Sequence, residues 1–284
     1  MPELPELEGL AAWIRSELAG QEIQSFRLRS VAALKTYDPP IGALVGKTVT
    51  GAFRRGKYLA IETGELQLVT HLSLGGWMRW VTGPTTRKAT LRGPIIAEML
   101  FESGSLDFTE HGKQKRLALW LVHAIDEVPQ VASLGPDALD PELTEALFSD
   151  LVRGRRGTIK KVLADQHVIA GIGNAYSDEI LHAARMSPFL NTARMTNQQV
   201  SLLYLSMQSV LADTVARAAG IGAADLKDDK RSHFSVHART GEPCPVCGDS
   251  VRAVWLGERS LQYCPTCQTG GRVYKDRRLS RLLK

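Results

Sequence analysis

Cysteine is scarce in this sequence. Four occur among 284 residues, and all four fall between positions 244 and 267. None is left for a disulfide elsewhere, which fits a reducing compartment. No apolar run approaches the ~18 residues that a membrane-spanning helix needs. The opening Met1-Pro2-Glu3-Leu4-Pro5-Glu6 is acidic and has no apolar core, so it does not read as a signal peptide. A soluble, cytoplasmic chain is therefore expected. No repeat recurs at a solenoid period. Net charge is also scant over most of the chain. The formal excess of +5 equals the charge of the last residues alone, where Arg272, Lys275, Arg277, Arg278, Arg281 and Lys284 face only Asp276. Residues 1–268 sum to zero, so an acidic partner would have to be met by clustered side chains. The tail reads equally as a solvated end and as a non-specific phosphate contact.

What is present is an ordinary globular mixture, 44% hydrophobic and 23% charged, long enough for two cores. Leu7, Leu10, Ala11, Ile14 and Leu18 recur at helical spacing after Pro5, and Gly20 ends the run. From about 22 to 125 the chain is β-rich. Short runs (Thr48–Phe53, Tyr58–Glu62, Leu66–Leu72, Ile95–Phe101) are split by glycine, proline and charge. The character changes near Leu134-Gly135-Pro136-Asp137. Helical spacing follows over Leu143–Leu151, Ile159–Gln166, Ala175–Ala184 and Asn197–Ala218. The expected fold is α+β: an N-terminal β-sandwich with flanking helices (1–131), a helical domain (132–238), a cysteine unit (239–268) and a basic tail (269–284).

Cys244-Pro-Val-Cys247 and Cys264-Pro-Thr-Cys267 are separated by sixteen residues. Paired Cys-x2-Cys units at this spacing indicate one zinc ion. Four thiolates complete a tetrahedral site and leave no open position, so the metal is structural. The bland reading is a redox pair. Between the two units, Val251–Leu256 and Leu261–Tyr263 read as a hairpin with Gly257-Glu258-Arg259-Ser260 at its tip. Arg259 there is either a solvated turn residue or a contact to phosphate or base edges.

The run Val168-Ile-Ala-Gly171-Ile-Gly173-Asn174-Ala175 passes through a glycine turn into a helix. Free N–H groups and the positive dipole end of that helix suit a phosphate. Asn174 is either the N-cap of the helix or a donor to the phosphate. Arg153, Arg155, Arg156, Lys160 and Lys161 form a cationic cluster upstream, which is either a solvated face or the flank of that phosphate site.

Taken together, Met1-Pro2-Glu3-Leu4-Pro5-Glu6-Leu7-Glu8, Arg55-Gly56-Lys57-Tyr58-Leu59, Gly171-Ile172-Gly173-Asn174 and the cysteine ribbon with Arg259 resemble the formamidopyrimidine-DNA glycosylase and endonuclease VIII family. The motifs occur in the family's order and spacing, span residues 1 to about 268, and sit closer to the formamidopyrimidine branch. The resemblance implies a β-sandwich domain, a helix–two-turn–helix domain with a zinc ribbon, and damaged double-stranded DNA held between the domains by a monomer. It also implies a nucleoid-associated enzyme of base-excision repair that flips the damaged nucleotide out of the stack.

Read onto this chain, the resemblance makes the Pro2 nitrogen the nucleophile once Met1 is removed. It makes Glu3 the general acid and Lys57 the lysine that contacts the lesion-side phosphate. Glu6 would hold the terminus in place. Lys160, Asn174 and Arg259 fall on the family's phosphate-binding positions, and His71 opens the family's loop beside the active site. A terminal amine with a pKa of roughly 8 is partly neutral near pH 7. Its attack on the sugar gives an iminium, by the logic of a lysine Schiff base. Taken singly, Pro2-Glu3 is an ordinary start, Lys57 a surface lysine and His71 a packed histidine.

Three departures bear on lesion recognition. Leu74 stands where the family has methionine. The family's Asp-Pro-Arg-Arg-Phe-Gly segment is replaced by Thr109-Glu-His-Gly-Lys113-Gln-Lys115-Arg116, which offers cations but no aromatic wedge. The polar stretch Leu226–His237 is shorter than the family loop over an oxidised purine. The expectation is an abasic-site lyase and glycosylase whose 8-oxoguanine excision is weak or replaced by that of another lesion. The competing classes are a DNA-damage-binding protein that keeps the fold without catalysis, and a zinc-ribbon transcription or structural factor.

Overall fold

The computed structural model describes residues 1–83, 94–112, 114–223, 225–226, 232–256 and 259–274, and of Leu256 and Arg259 only the backbone. Helix α1, Leu4–Glu17, starts where Pro5 costs no hydrogen bond. It buries Leu4, Leu7, Leu10, Ala11 and Ile14 along one stripe, each large aliphatic chain contributing about 1.5–3 kcal/mol relative to exposure. Among the described residues eight strands follow: β1 Ser25–Leu28, β2 Gly51–Arg55, β3 Tyr58–Glu62, β4 Gln67–His71, β5 Gly76–Thr82, β6 Ile95–Leu100, β7 Gly104–Glu110 and β8 Ala118–Val122. They form two antiparallel four-stranded sheets, ordered β1-β6-β7-β5 and β2-β3-β4-β8. Leu59, Ile61 and Leu68 of one sheet share a core with Met99, Leu106 and Phe108 of the other, and α1 caps it with Leu7, Leu10 and Ile14. This is the expected β-sandwich with a flanking helix.

After the short α2, Pro129–Ala132, come α3 Glu145–Arg153, α4 Ile159–Leu163, α5 Asn174–Ala183 and α6 Asn197–Ala218. Then β9 Arg252–Leu256 and β10 Arg259–Tyr263 pair as a hairpin, followed by α7, Pro265–Thr269. Among the described residues no helix is long and apolar enough to cross a membrane.

The chain divides into two compact units. The first comprises Met1–Ser133 with Val215–Asp229, and the second Leu134–Thr214 with Lys230–Lys284. By sequence, residues 215–229 belong with the helical domain. Among their described residues, Leu226 and Ala218 instead close on Gly9 of α1, and Trp77 Nε1 donates to the Ala223 carbonyl at 2.8 Å.

Strands β1, β5, β7 and β8 have no counterpart among the runs read from the sequence. Strand β7 shows why. It is buried along its whole length, yet every second residue from Ser105 on is polar. Ser105 Oγ donates to Asp107 at 2.7 Å and Thr109 Oγ1 to the Trp77 carbonyl at 3.1 Å, so these polar groups tolerate burial.

Candidate functional site

In the first unit, the chemistry-bearing residues of the sequence gather at the start of α1 and the ends of β2–β4. Pro2, Glu3 and Glu6 are buried, whereas Met1 is 41% exposed. Glu3 precedes the helix in an extended conformation, and its backbone N–H donates to Glu6 Oε2 at 2.7 Å. Glu6 thus fixes the chain end from within the first helical turn, the reverse half of a capping box. Helix α1 is tied to β2 by Arg54 Nε to Glu8 Oε2 at 2.9 Å and by Arg15 to the Ala52 carbonyl at 2.6 Å. Strands β2 and β3 join through Gly56-Lys57, which places Lys57 in the turn with its side chain buried.

His71 ends β4. Its ring lies 4.8 Å from that of Tyr58. Burial, and secondarily the positive charge of Lys57, lower its pKa to about 4. His71 is therefore a neutral imidazole near pH 7, beside a cationic lysine. An unfolded histidine titrates near 6.5, so the stabilising effect of keeping it neutral is complete above that value. It is lost as pH falls towards 4, amounting to at most about 3 kcal/mol. Urea unfolding between pH 7 and 4.5 should show this decline, and His71→Gln should flatten it. An unchanged pH slope in that variant would remove His71 from the account.

The loop after His71 carries Leu74, 68% exposed at its tip. Ser73 holds a positive φ of 54°, and Gly76 N–H donates to the Leu72 carbonyl at 2.9 Å. A Cβ on Gly75 would stand 2.2 Å from the His111 carbonyl, so this close approach requires glycine. The neighbouring loop, where the family wedge would lie, is organised by Glu110, which the sequence reading passed over. Its carboxylate accepts from the backbone N–H of Arg116 (2.8 and 2.9 Å) and Leu117 (3.0 Å). The Lys115 ammonium donates to the Glu110 carbonyl, and the Arg116 guanidinium to Gln114 Oε1 at 2.5 Å. Lys113 lies outside the described residues, as do residues 227–231 of the shortened loop.

In the second unit, Lys160, Asn174 and the backbone of Arg259 come together around one turn. Gly171 takes φ +102°, and Gln166 braces the turn from both sides. Gln166 accepts from Gly171 N–H at 3.1 Å and donates to the Ile172 carbonyl at 2.6 Å. The cap of α5 is Gly173, not Asn174, which occupies the first helical position. The Asn174 amide instead donates to the Ser260 carbonyl at 2.8 Å and ties the helix start to β10. Arg259 opens β10 opposite Leu256 rather than sitting at a hairpin tip, because the strand begins two residues earlier than the sequence suggested.

Lys160 is buried within the cationic cluster. Its ammonium reaches the Asn174 carbonyl at 2.9 Å, Ser177 Oγ at 2.9 Å and Asp178 Oδ1 at 2.7 Å. Two hydrogen bonds and one ion pair thus hold the ammonium, so its positive charge braces the turn from beneath. Asp178 also meets His237 Nδ1 at 2.8 Å. Gln166 and Asp178 gave no sequence signal, since their partners are set by the turn's geometry.

The four cysteine sulfurs lie within 4.8 Å of one another. Cys247 and Cys264 are 3.3 Å apart, and Cys244 and Cys267 3.9 Å. A tetrahedral zinc with bonds of about 2.3 Å sets sulfurs about 3.8 Å apart, so the set fits one structural ion.

Comparison with known proteins agrees with this geometry. Residues 1–114 match the formamidopyrimidine-DNA glycosylase N-terminal domain, residues 134–225 the H2TH domain of the same glycosylase, and residues 241–270 the zinc finger found in FPG and IleRS. The chain is 34% identical over 263 residues to the formamidopyrimidine-DNA glycosylase of Moorella thermoacetica, covering 89% of this chain and 94% of that one. It is 57% identical over 156 residues to an uncharacterized formamidopyrimidine-DNA glycosylase-like protein of Mycobacterium tuberculosis, covering 55% of this chain and 98% of that one. Among solved structures it resembles the Lactococcus lactis Fpg in complex with abasic-site DNA, with TM-score 0.83, 27% identity and coverage of 94% and 99%.

Proposed function

The chain belongs to the formamidopyrimidine-DNA glycosylase family, and from that premise we propose that it excises damaged bases from double-stranded DNA and cleaves the resulting abasic site through its Pro2 amine. The observation that carries it is the Glu6 carboxylate, which holds the Glu3 backbone N–H at 2.7 Å and so fixes the residue next to Pro2.

With Met1 removed, the Pro2 nitrogen is a secondary amine. Its lone pair attacks the sugar C1′, and the glycosidic electron pair departs with the base, which takes up the proton the amine loses. Glu3, buried beside it, gives a proton to the ring oxygen as the ring opens. The C1′=N⁺ iminium then draws in the C2′–H electron pair as water takes that proton, the enamine so formed expels the 3′ phosphate, and a second elimination, with loss of the C4′ proton to water, expels the 5′ phosphate. Lys57 supplies a cation for the lesion-side phosphate, and neutral His71 a hydrogen bond without further charge. On the second unit, the start of α5 at Asn174 turns its positive dipole end to a backbone phosphate, with Arg259 on the neighbouring β10. Lys160 acts through the turn. The zinc ribbon holds β10 in place and takes no part in the chemistry.

The substrate half rests on the wedge. Leu74 can fill the space of a flipped base, but the Glu110-braced loop offers no phenylalanine, and Lys115 and Arg116 are engaged within it. Abasic sites are therefore the favoured substrate and 8-oxoguanine a poor one.

Sodium borohydride added to the protein on a duplex with one abasic site is expected to trap a covalent adduct. The same duplex carrying 8-oxoguanine opposite cytosine should yield little. Tight binding without any adduct would replace the enzyme with a damage-binding protein, and rapid 8-oxoguanine release would refute the substrate assignment alone.

A further inference from the structure

Helix α5 carries a histidine near its C-terminal end that neither the sequence motifs nor the proposed chemistry uses. His182 is 5% exposed, and its Nε2 lies 3.3 Å from Cys244 Sγ. In metal-free form either atom could carry the proton. With zinc bound the choice is made, because the metal ligand is the thiolate, which can only accept. The ring must then present Nε2–H towards the sulfur.

The electrostatics call for such a donor. Zinc with four thiolates carries a formal charge of −2, and Cys244 and Cys264 are buried, 2% and 0% exposed. Charge held out of water is tolerated where hydrogen bonds reach it. Cys264 has a backbone donor from the ribbon itself, the Cys267 N–H at 3.5 Å from its Sγ. Cys244 is instead met by a side chain from outside the ribbon. The helix that supplies it is the one that begins at the Gly171–Asn174 turn, and Asn174 at its other end bonds β10 of the same ribbon. The ribbon is thus pinned to both ends of α5, once through a metal ligand.

We propose that His182 is a positioning residue of the zinc centre: its Nε2–H donates to the Cys244 thiolate, steadies the metal and fixes the ribbon, with Arg259, against the helix that starts at the phosphate turn. The assignment stands whether or not the glycosylase chemistry does, and it is tested without measuring activity.

Outer partners of metal ligands typically change affinity 10- to 100-fold when removed. Chelator-driven zinc release from the purified full chain, followed with a metallochromic dye, should accelerate about 10-fold or more in His182→Phe. His182→Gln places an amide N–H at a similar reach, and its release rate should return close to that of the parent. Cobalt-substituted protein should show shifted thiolate-to-cobalt charge-transfer bands in the Phe variant and restored bands in the Gln variant. Should the Phe variant not fold, imidazole nitrogen NMR of the unmodified zinc protein decides the matter. An Nε2–H tautomer is expected, and an Nδ1–H tautomer overturns the proposal. Unchanged zinc release and cobalt bands in a folded Phe variant overturn it as well, leaving His182 a packing residue.

Discussion

Protein that retains Met1 ahead of Pro2 is expected to lose base excision and strand cleavage by on the order of 10⁵-fold or more, the scale on which removing a covalent nucleophile is felt. The acylated proline nitrogen is a tertiary amide, with its lone pair delocalised into the carbonyl, and it cannot add to C1′. Met1 is exposed while Pro2 and Glu3 are buried, so the extra residue sits at the surface without disturbing α1. DNA affinity should therefore persist, which separates this outcome from misfolding. A trimmed Pro2→Gly protein keeps a terminal amine, now primary. Its imine carries charge only when protonated, whereas the proline iminium is charged at every pH. The glycine end is also freer about φ. Intermediate activity is expected, roughly 10- to 1000-fold below the parent, within the range by which a proton-dependent step is usually slowed. Single-turnover cleavage of abasic duplex measures both. Full activity in the Met1-bearing protein would transfer the nucleophile to another group.

Much of the site could be read in the sequence because it lies in short contiguous motifs. The α6 boundaries, Asn197–Ala218, emerge from apolar spacing alone, and the two cysteine pairs legible in sequence do converge in one cluster. What could not be read depends on partners brought in from afar. Lys160 looks like one more cation in a run from Arg153 to Lys161, yet α4 turns its Ile159, Lys160, Val162 and Leu163 inward, and the ammonium meets Asp178 of α5. Asn174 is a strong capping residue type, but Gly173 takes the cap in an extended conformation, and the asparagine amide is claimed by Ser260, 86 residues away. Polar alternation hid β7, because its buried Ser105 and Thr109 have partners that composition does not reveal. His182 sits on the buried face of α5 like any core histidine, and only the fold brings Cys244 to it.

Cys264→Ser should have the second large effect, on DNA holding rather than on the chemistry. Cys264 is fully buried, and its sulfur also accepts the Cys267 N–H at the start of α7. Serine preserves that cap but gives a poorer ligand for zinc, a metal served well by thiolates. At its metal end the ribbon has only a small apolar cluster, Val236 and Val251 with Cys244 and Cys264, against which Cys267 packs, and a core of that size does not support folding without a staple. The hairpin adds Val254, Leu261 and Tyr263, packed with Phe189 and Tyr274, but structural zinc contributes on the order of 10 kcal/mol to such units. The variant is expected to lose zinc and the β9–β10 pairing. The Ser260 carbonyl that holds Asn174 is lost with that pairing, and so is the support beneath Arg259. The sandwich core contains none of the four cysteines and should keep its cooperative melt. Affinity for abasic duplex should then fall steeply, with a shallower dependence on salt as phosphate contacts disappear. Zinc content, the thermal transition and a salt series of binding isotherms measure the three effects together. A zinc-free variant that binds duplex with the parent's affinity and salt slope would show that the ribbon is dispensable for DNA.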